Sequence, residues 1–171
     1  MTEHDTLTQP AAPEVEGALQ QAWTLLEPFA KGHDAAGAHR LDVMLAPDDL
    51  TAALQGLIDA RWGYLAAITG IDLGPEAGVI EVLYHVCAGA DVLWLRVHTA
   101  RDAAEVPTIC GVIPSASFYE RELREMLGVT VRGTPDPRLL FLPEDWPADV
   151  YPLRKDFEQT GAHEAGEGKG R

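Results

Sequence analysis

A dense triplet of charged residues, Glu120, Arg121 and Glu122, carries side chains that could do acid–base chemistry. Such carboxylates could act as a general acid and a general base, could lock an interface through ion pairs, or could simply begin a solvated helix. Residue types alone favour the solvated helix. Two cysteines, Cys87 and Cys110, lie far apart with no second thiol or clustered histidine beside them. We therefore expect buried free thiols, without a disulfide or a zinc site.

Other motifs for catalysis or cofactor binding do not occur in the sequence. There is no Gly-x-Ser-x-Gly elbow, no phosphate-binding Gly-x-x-x-x-Gly-Lys-Ser/Thr loop and no dinucleotide-binding Gly-x-Gly-x-x-Gly after a strand. The six histidines are scattered and include no helical metal-ligand pair. His85 and His98 could meet on neighbouring strands, where histidines are more often structural. We expect no cofactor site on this chain.

Length and charge limit the function classes. The chain has 171 residues, with 13 Lys and Arg against 27 Asp and Glu and a formal charge of -14. This length suits one domain, and this charge disfavours binding to nucleic acid or anionic lipid. No apolar run approaches the ~20 residues of a membrane helix, and no signal-peptide pattern begins the chain. We expect a soluble, cytosolic chain with flexible, apolar-poor ends at 1–13 and 158–171.

Periodic apolar residues predict two helices and one strand in the N-terminal part. The first helix would end where Pro28 forbids its continuation, and Pro47 favours the start of the second. A glycine-bearing link, 32–37, leads to a half-buried strand over 39–46. The buried positions would be Leu19, Ala22, Trp23 and Leu26 in the first helix, Leu41, Val43 and Leu45 in the strand, and Leu50, Ala53, Leu54, Leu57 and Ile58 in the second helix.

Three further strands are indicated over 62–72, 79–86 and 91–98 by β-branched and aromatic residues separated by glycine-bearing turns. Short turns make consecutive strands antiparallel neighbours. With a strand and two helices before them and a helix after, the sequence predicts an α+β domain over 14–132, a mostly antiparallel sheet covered by helices.

The helix that carries the charged triplet begins with the pattern of a capping box. In it, the Ser117 hydroxyl and the Glu120 carboxylate would satisfy free backbone amides of the first turn. Gly128 would end the helix in a left-handed conformation. Two ion pairs one turn apart would lie on an exposed face. The buried stripe would be Tyr119, Leu123, Met126 and Leu127, and the ion pairs would join Glu120 to Arg124 and Arg121 to Glu125.

The segment 133–157, called here the strap, contains five prolines between positions 135 and 152 and many large apolar residues, among them Leu139, Leu140, Phe141, Trp146, Tyr151, Leu153 and Phe157. So many prolines prevent a helix or a sheet strand, and so much apolar area requires a surface to lie on. That surface could be the chain's own domain or a partner protein; we favour the partner, because proline reduces the entropy lost on docking. The charged run Arg154-Lys155-Asp156 could form ion pairs across such an interface.

Several spaced motifs resemble the 30 kDa-type subunit of the proton-pumping NADH-quinone oxidoreductase, respiratory complex I. They are Phe-Tyr-Glu-Arg-Glu-Leu-Arg-Glu-Met-Leu-Gly at 118–128, Gly-Thr-Pro-Asp at 133–136 with Arg138, Glu-Asp-Trp at 144–146, and Tyr-Pro-Leu-Arg-Lys-Asp-Phe at 151–157. Looser likeness extends the resemblance to about 39–157. The pattern Glu-Arg-Glu-Leu-x-Glu-Met is also similar to the equivalent subunit of energy-converting [NiFe] hydrogenases.

The resemblance implies a non-catalytic subunit that supports assembly and electron transfer to quinone. Such a subunit would lie in the peripheral arm, on the cytoplasmic side of the cell membrane, and would pack on the large quinone-site subunit and the small iron–sulfur subunit. Iron–sulfur clusters and flavin, or a [NiFe] centre, would belong to those partners. A free-standing carboxylate enzyme is the alternative from another class. The implied interface residues are Glu120, Arg121, Glu122, Pro135, Asp136, Arg138, Trp146, Pro152, Leu153, Arg154, Lys155 and Asp156.

Overall fold

The computed structural model describes residues 15–158, so the ends expected to be flexible lie outside the described residues except at position 158. Within this range, no helix is long and apolar enough to cross a membrane. The helices are α1 (Gly17–Leu26), α2 (Leu50–Asp59) and α3 (Ala116–Leu127). The strands are β1 (Ala30–Asp34), β2 (Arg40–Leu45), β3 (Tyr64–Asp72), β4 (Val79–Ala88), β5 (Asp91–Ala100), β6 (Glu105–Pro107) and β7 (Thr130–Arg132).

Five strands form the main sheet, in the order β1-β2-β5-β4-β3. The consecutive strands β3, β4 and β5 are antiparallel neighbours, as the turns between them predict. In this sheet the pair β2 and β5 runs parallel, because α2, β3 and β4 intervene between them in the chain. The α+β fold with a mostly antiparallel sheet is therefore confirmed.

One face of this sheet carries the hydrophobic core. The alternate residues of β2 that the sequence predicts to be buried, such as Val43, are buried, and so are alternate residues of β5 such as Leu95. The helix α1 packs against this face, and α2 packs on α1; Trp62 Nε1 ties the start of β3 to the carbonyl of Ala18 in α1 at 2.6 Å. The helix α3 joins the same face, where Gly70 of β3 leaves room for the Leu127 side chain.

The opposite face of the sheet carries no helix within 15–158, and several charged side chains lie on it. Asp42 and Glu81 are buried there beneath Arg40, Arg96 and His98, which pair with them. The Asp42 burial departs from the half-buried alternation predicted for β2, because two arginines cover its carboxylate.

The structure decides one possibility left open by the sequence and corrects one predicted element. His85 and His98 do not meet: His85 contacts Trp94 and His98 contacts Glu81, since the β4–β5 register sets the two histidines apart. The predicted link at 32–37 also contains most of β1, which pairs antiparallel with β2. Its sequence, Ala-Lys-Gly-His-Asp, lacks the β-branched residues typical of strands, and it is held by pairing and by the contact of His33 with Trp23.

Beyond the main sheet, β6 precedes α3 in the chain and β7 follows it, and these two strands pair in parallel. After β7 the described chain has neither helix nor strand, as its prolines predict. The two cysteines, Cys87 and Cys110, are free and half-buried rather than fully buried.

Candidate functional site

The helix α3 turns the first carboxylate of the charged triplet inward. Glu120 is buried, and its oxygens accept the Ile109 amide at 2.7 Å, the Thr108 hydroxyl at 2.8 Å and the Cys110 thiol at 3.2 Å. Burial raises the pKa of that thiol, which keeps it a donor. The predicted capping box is therefore wrong: Ser115 is the N-cap and makes no side-chain cap bond, because three donors of the preceding loop outcompete one helix amide.

Glu125 is also buried, and it holds the strap rather than Arg121. Its two oxygens accept the backbone amides of Leu140 and Phe141, each at 2.8 Å, and a longer bond from Leu142 at 3.4 Å. A carboxylate that accepts several amides is well suited to burial, because each amide replaces a bond to water. The predicted ion pair between Arg121 and Glu125 is thus not formed.

The arginines of α3 bind the strap from the donor side. Arg121 donates from Nε to the carbonyl of Arg138 at 2.9 Å and from Nη2 to the carbonyl of Leu139. Arg124 donates to the carbonyl of Pro137 instead of pairing with Glu120. The charged side of α3 was predicted to be solvated, but Arg121, Arg124 and Glu125 on it hydrogen-bond the backbone of the strap.

The strap meets α3 again at the C-terminal end of the helix. Gly128 ends α3 in the left-handed conformation that its sequence predicts, with φ of 71°. The amide of Leu153 donates to the carbonyl of Met126 at 3.0 Å, and Arg154 Nε donates to the carbonyl of Leu127 at 2.8 Å. A cationic donor at this end is favoured by the helix dipole. The Arg154 guanidinium also lies over the Tyr151 ring, at 4.6 Å from its centroid.

The last part of the strap is fixed to the sheet by Asp72, at the end of β3. Its oxygens accept Arg101 Nε at 2.8 Å and Nη2 at 2.9 Å. The amides of Gly74 and Lys155 donate to the same carboxylate at 2.9 and 2.8 Å. Arg101 Nη2 also donates to Asp156 at 2.5 Å. The hydrogen bonds from Arg101, with those amides, hold the pKa of Asp72 well below its usual range.

Sequence reasoning missed the parts played by Asp72, Arg101 and Glu125. The sequence patterns place Asp72 only at the end of a strand and Glu125 only in a surface ion pair, and they give no role to Arg101. Asp and Glu are mostly exposed in folded proteins, so the residue type alone gives no signal that a given carboxylate is buried. The nearest signal was the charged run at 154–156, because charged groups among apolar residues need partners. Asp72 and Arg101 provide some of these partners.

The remaining predicted interface residues lie on or beside the strap. Asp136 is placed between Arg138, at 2.7 Å, and Arg121, at 3.4 Å. Trp146 Nε1 donates to the carbonyl of Val150 at 2.8 Å, closing a turn within the strap. Glu122 and Pro152 are half-buried, whereas Pro135 is exposed.

Large apolar side chains remain exposed on α3 and on the strap. We call them the apolar patch: Phe118 of α3, with 61% of its surface exposed, and Leu139, Phe141 and Leu153 of the strap, with 37%, 64% and 56% exposed. The three strap residues are carried by segments that hydrogen-bond α3. Beside them, a groove of about 290 Å³ opens between α3 and the strap, with Leu139, Trp146 and Tyr151 in its walls.

This arrangement is suited to binding rather than to acid–base chemistry. The Glu120 and Glu125 carboxylates are both occupied by donors of their own chain, which leaves no open pair of carboxylates on α3. Within 15–158 no group of three or more His, Cys, Asp or Glu side chains is placed to hold a metal ion. Together, α3 and the strap expose apolar side chains on segments that are fixed by hydrogen bonds. Exposed apolar area of this kind is typical of a protein interface.

Comparison with known proteins gives concordant relatives. The chain is 40% identical over 117 residues to hydrogenase-4 component G of Escherichia coli, covering 67% of this chain and 20% of that protein. It is 36% identical over 143 residues to the NADH-quinone oxidoreductase C subunit of Parvibaculum lavamentivorans, covering 81% of this chain and 69% of that protein. The chain thus spans about a fifth of component G.

A solved structure agrees with these relatives. The fold matches a chain of the membrane-bound sulfane sulfur reductase, an archaeal respiratory membrane complex, with a TM-score of 0.72 and 25% identity over 84% of this chain and 87% of that chain. The family model for "Respiratory-chain NADH dehydrogenase, 30 Kd subunit" matches residues 43–163, most of the chain. The resemblance seen in the sequence is therefore confirmed, and the chain belongs to the family of the 30 kDa subunit of respiratory-chain NADH dehydrogenase.

Proposed function

We propose that the chain is a non-catalytic peripheral subunit of a membrane-bound NADH-quinone oxidoreductase. In this role it binds the large quinone-site subunit through α3 and the strap, contacts the small iron–sulfur subunit, and supports assembly and electron transfer to quinone. The iron–sulfur clusters and flavin belong to the partner subunits. The complex holds the chain on the cytoplasmic side of the membrane.

The apolar patch is the observation that carries this proposal. Side chains such as Phe118, Phe141 and Leu153 are each more than half exposed although they belong to ordered, hydrogen-bonded segments. Covering exposed aromatic and aliphatic side chains with a partner makes the free energy of binding more favourable, and such residues often dominate binding. Except for Glu122, the charged side chains of α3 are already bonded within the chain, so the partner meets an apolar surface whose buried charges need no further desolvation.

A second candidate is the equivalent subunit of an energy-converting [NiFe] hydrogenase. The 40% identity with hydrogenase-4 component G favours it. In component G the region similar to this chain accounts for only 20% of the protein, so the rest of that polypeptide is a model for what this chain contacts. In both candidates the chain binds its partner through the same surface, α3 and the strap, which we call the docking face. The candidates differ in the chemistry of the large partner.

The experiment is to tag the full chain in its native host, solubilise the membranes gently, and identify by mass spectrometry the proteins that copurify. A large subunit without paired Cys-x-x-Cys nickel ligands, together with a flavin-bearing NADH-oxidising subunit, supports the quinone-reducing complex. A large subunit that retains both cysteine pairs supports the hydrogenase. Recovery of the chain alone, from membranes in which those complexes are intact, contradicts both and supports a free-standing enzyme.

A further inference from the structure

The strap is attached to the domain mainly through its backbone. Glu125 accepts the amides of Leu140 and Phe141, and the arginines of α3 donate to the carbonyls just before them. Near the other end of the strap, Asp72 accepts the amide of Lys155. A backbone held by side chains of the domain leaves the strap's own side chains free to point outward, and Phe141 and Leu153 are accordingly exposed.

These two attachments, which flank the bonds from Leu153 and Arg154 to the end of α3, differ in the element that provides them. Glu125 belongs to α3, which is itself part of the docking face. Asp72 and Arg101 lie at the ends of β3 and β5, strands of the main sheet, so the second attachment ties the strap directly to the core. Arg101 extends this tie by donating to Asp156 at 2.5 Å.

Apart from its bonds to α3, Asp72 and Arg101, the strap has little to keep it in place. It has no helix or strand, and its large apolar side chains are exposed or only half-buried. Such a segment samples many conformations when it is released, and a partner would have to order it on binding. Holding it in the bound conformation beforehand removes that cost and raises affinity.

We propose that Asp72 is a positioning residue for partner binding: with Arg101 it holds Lys155 and Asp156 against the sheet, so that the adjoining Leu153 is already presented before the partner arrives. This inference rests on the proposed function for its consequence, whereas the ordering of the strap is a property of the chain alone. It assigns a binding role to a carboxylate that does not itself face the partner, since Asp72 is buried.

The test compares the full-length chain with the variants Asp72→Asn and Asp156→Asn by amide hydrogen exchange, followed by copurification of the large subunit from native-host membranes. The neutral amide of Asp72→Asn removes the ion pair with Arg101 and places a donor where an acceptor is needed. Asp156→Asn loosens only the outer bond of Arg101 and threatens the fold less, because Asp156 is exposed. The matched control is Asp102→Asn, an exposed neighbour of Arg101.

We expect Asp72→Asn to speed exchange at the amides of Leu153 and Lys155 by about tenfold or more. The core amides of β4 and β5, and those of Leu140 and Phe141 held by Glu125, should keep their protection. Recovery of the large subunit should fall about tenfold, by less with Asp156→Asn, and not at all with Asp102→Asn.

Two results would overturn the inference: unchanged exchange at Leu153 in Asp72→Asn, or full recovery of the large subunit by a variant whose strap exchanges freely. If Asp72→Asn loses protection throughout the core, Asp156→Asn decides by the same two criteria. If the unmodified chain recovers no large subunit, the proposed function is contradicted. That failure is distinguishable, because the exchange data on the isolated chain still test the attachment.

Discussion

Asp72 and Arg101 form a two-point ion pair, with Nε–Oδ1 and Nη2–Oδ2 distances of 2.8 and 2.9 Å, that links the end of β3 to the turn after β5. The carboxylate is buried and accepts two backbone amides as well. All four donors favour the ionised carboxylate, which is why its pKa is depressed. A buried ion pair with this many satisfied hydrogen bonds is costly to break from one side.

This pair predicts a loss of stability in acid. The pKa of Asp72 is lower in the folded chain than its value of about 3.9 in an unfolded one, so the folded state binds fewer protons there. Its stabilisation is complete above about pH 5 and is lost progressively as the pH falls through the unfolded pKa towards the lower, folded pKa. Because Asp72→Asn cannot ionise, the difference in unfolding free energy between wild type and variant should shrink between about pH 5 and pH 2. Urea unfolding at a series of pH values measures it, and a constant difference would contradict the assignment.

The end of α3 should tolerate no side chain at Gly128. A Cβ built there would lie 2.5 Å from the Tyr151 ring, and the residue has φ of +71°. Gly89, with φ of +62° and nothing within 4 Å of a built Cβ, is the matched control for the backbone strain alone. We expect Gly89→Ala to lower the free energy of unfolding by about 1 kcal/mol and Gly128→Ala to lower it by roughly 1–3 kcal/mol more. Equal losses, measured by urea denaturation, would show that Tyr151 does not pack on the end of the helix.

Two glutamates of the charged triplet should respond differently to the same substitution. Glu120→Gln replaces one carboxylate oxygen by a donor that faces the Ile109 amide or the Thr108 hydroxyl, so we expect a loss of about 1–3 kcal/mol in unfolding free energy. The Glu122 side chain has no hydrogen bond or ion pair within the described part of the chain, and Glu122→Gln should change stability by less than about 0.5 kcal/mol. Similar effects for both, in parallel denaturation curves, would place Glu120 at the surface.

Local pattern was enough to predict most elements of this fold. The apolar period of α1 and α2 and the alternation along β5 carry their own signal, because each has one buried face. β1 carries no such signal, since Lys31 and Gly32 are poor strand residues and the strand exists through its pairing with β2. Pairing of this kind depends on a neighbouring strand and cannot be read from the segment itself.

The candidate site was predictable in outline but not in its internal contacts. The prolines and apolar residues of the strap require a surface, and part of that surface is the chain's own α3. The partner half of the interface stays a prediction. The i,i+4 spacing of Arg121 and Glu125 suggested a surface pair, but the strap backbone offers each of them better partners. Such competition is decided by tertiary packing, which charge spacing along one helix does not contain.

The most direct test of the docking face replaces the two large apolar side chains of the strap that are most exposed. The full-length double variant Phe141→Ser/Leu153→Ser should keep its unfolding free energy within about 0.5 kcal/mol, because both side chains are exposed. Ile71→Ser, an exposed apolar residue on the helix-free face of β3, is the matched control. We predict that the double variant recovers about a tenth or less of the large subunit from native-host membranes, whereas Ile71→Ser recovers as much as wild type. Full recovery by a folded double variant would contradict the claim that α3 and the strap form the docking face.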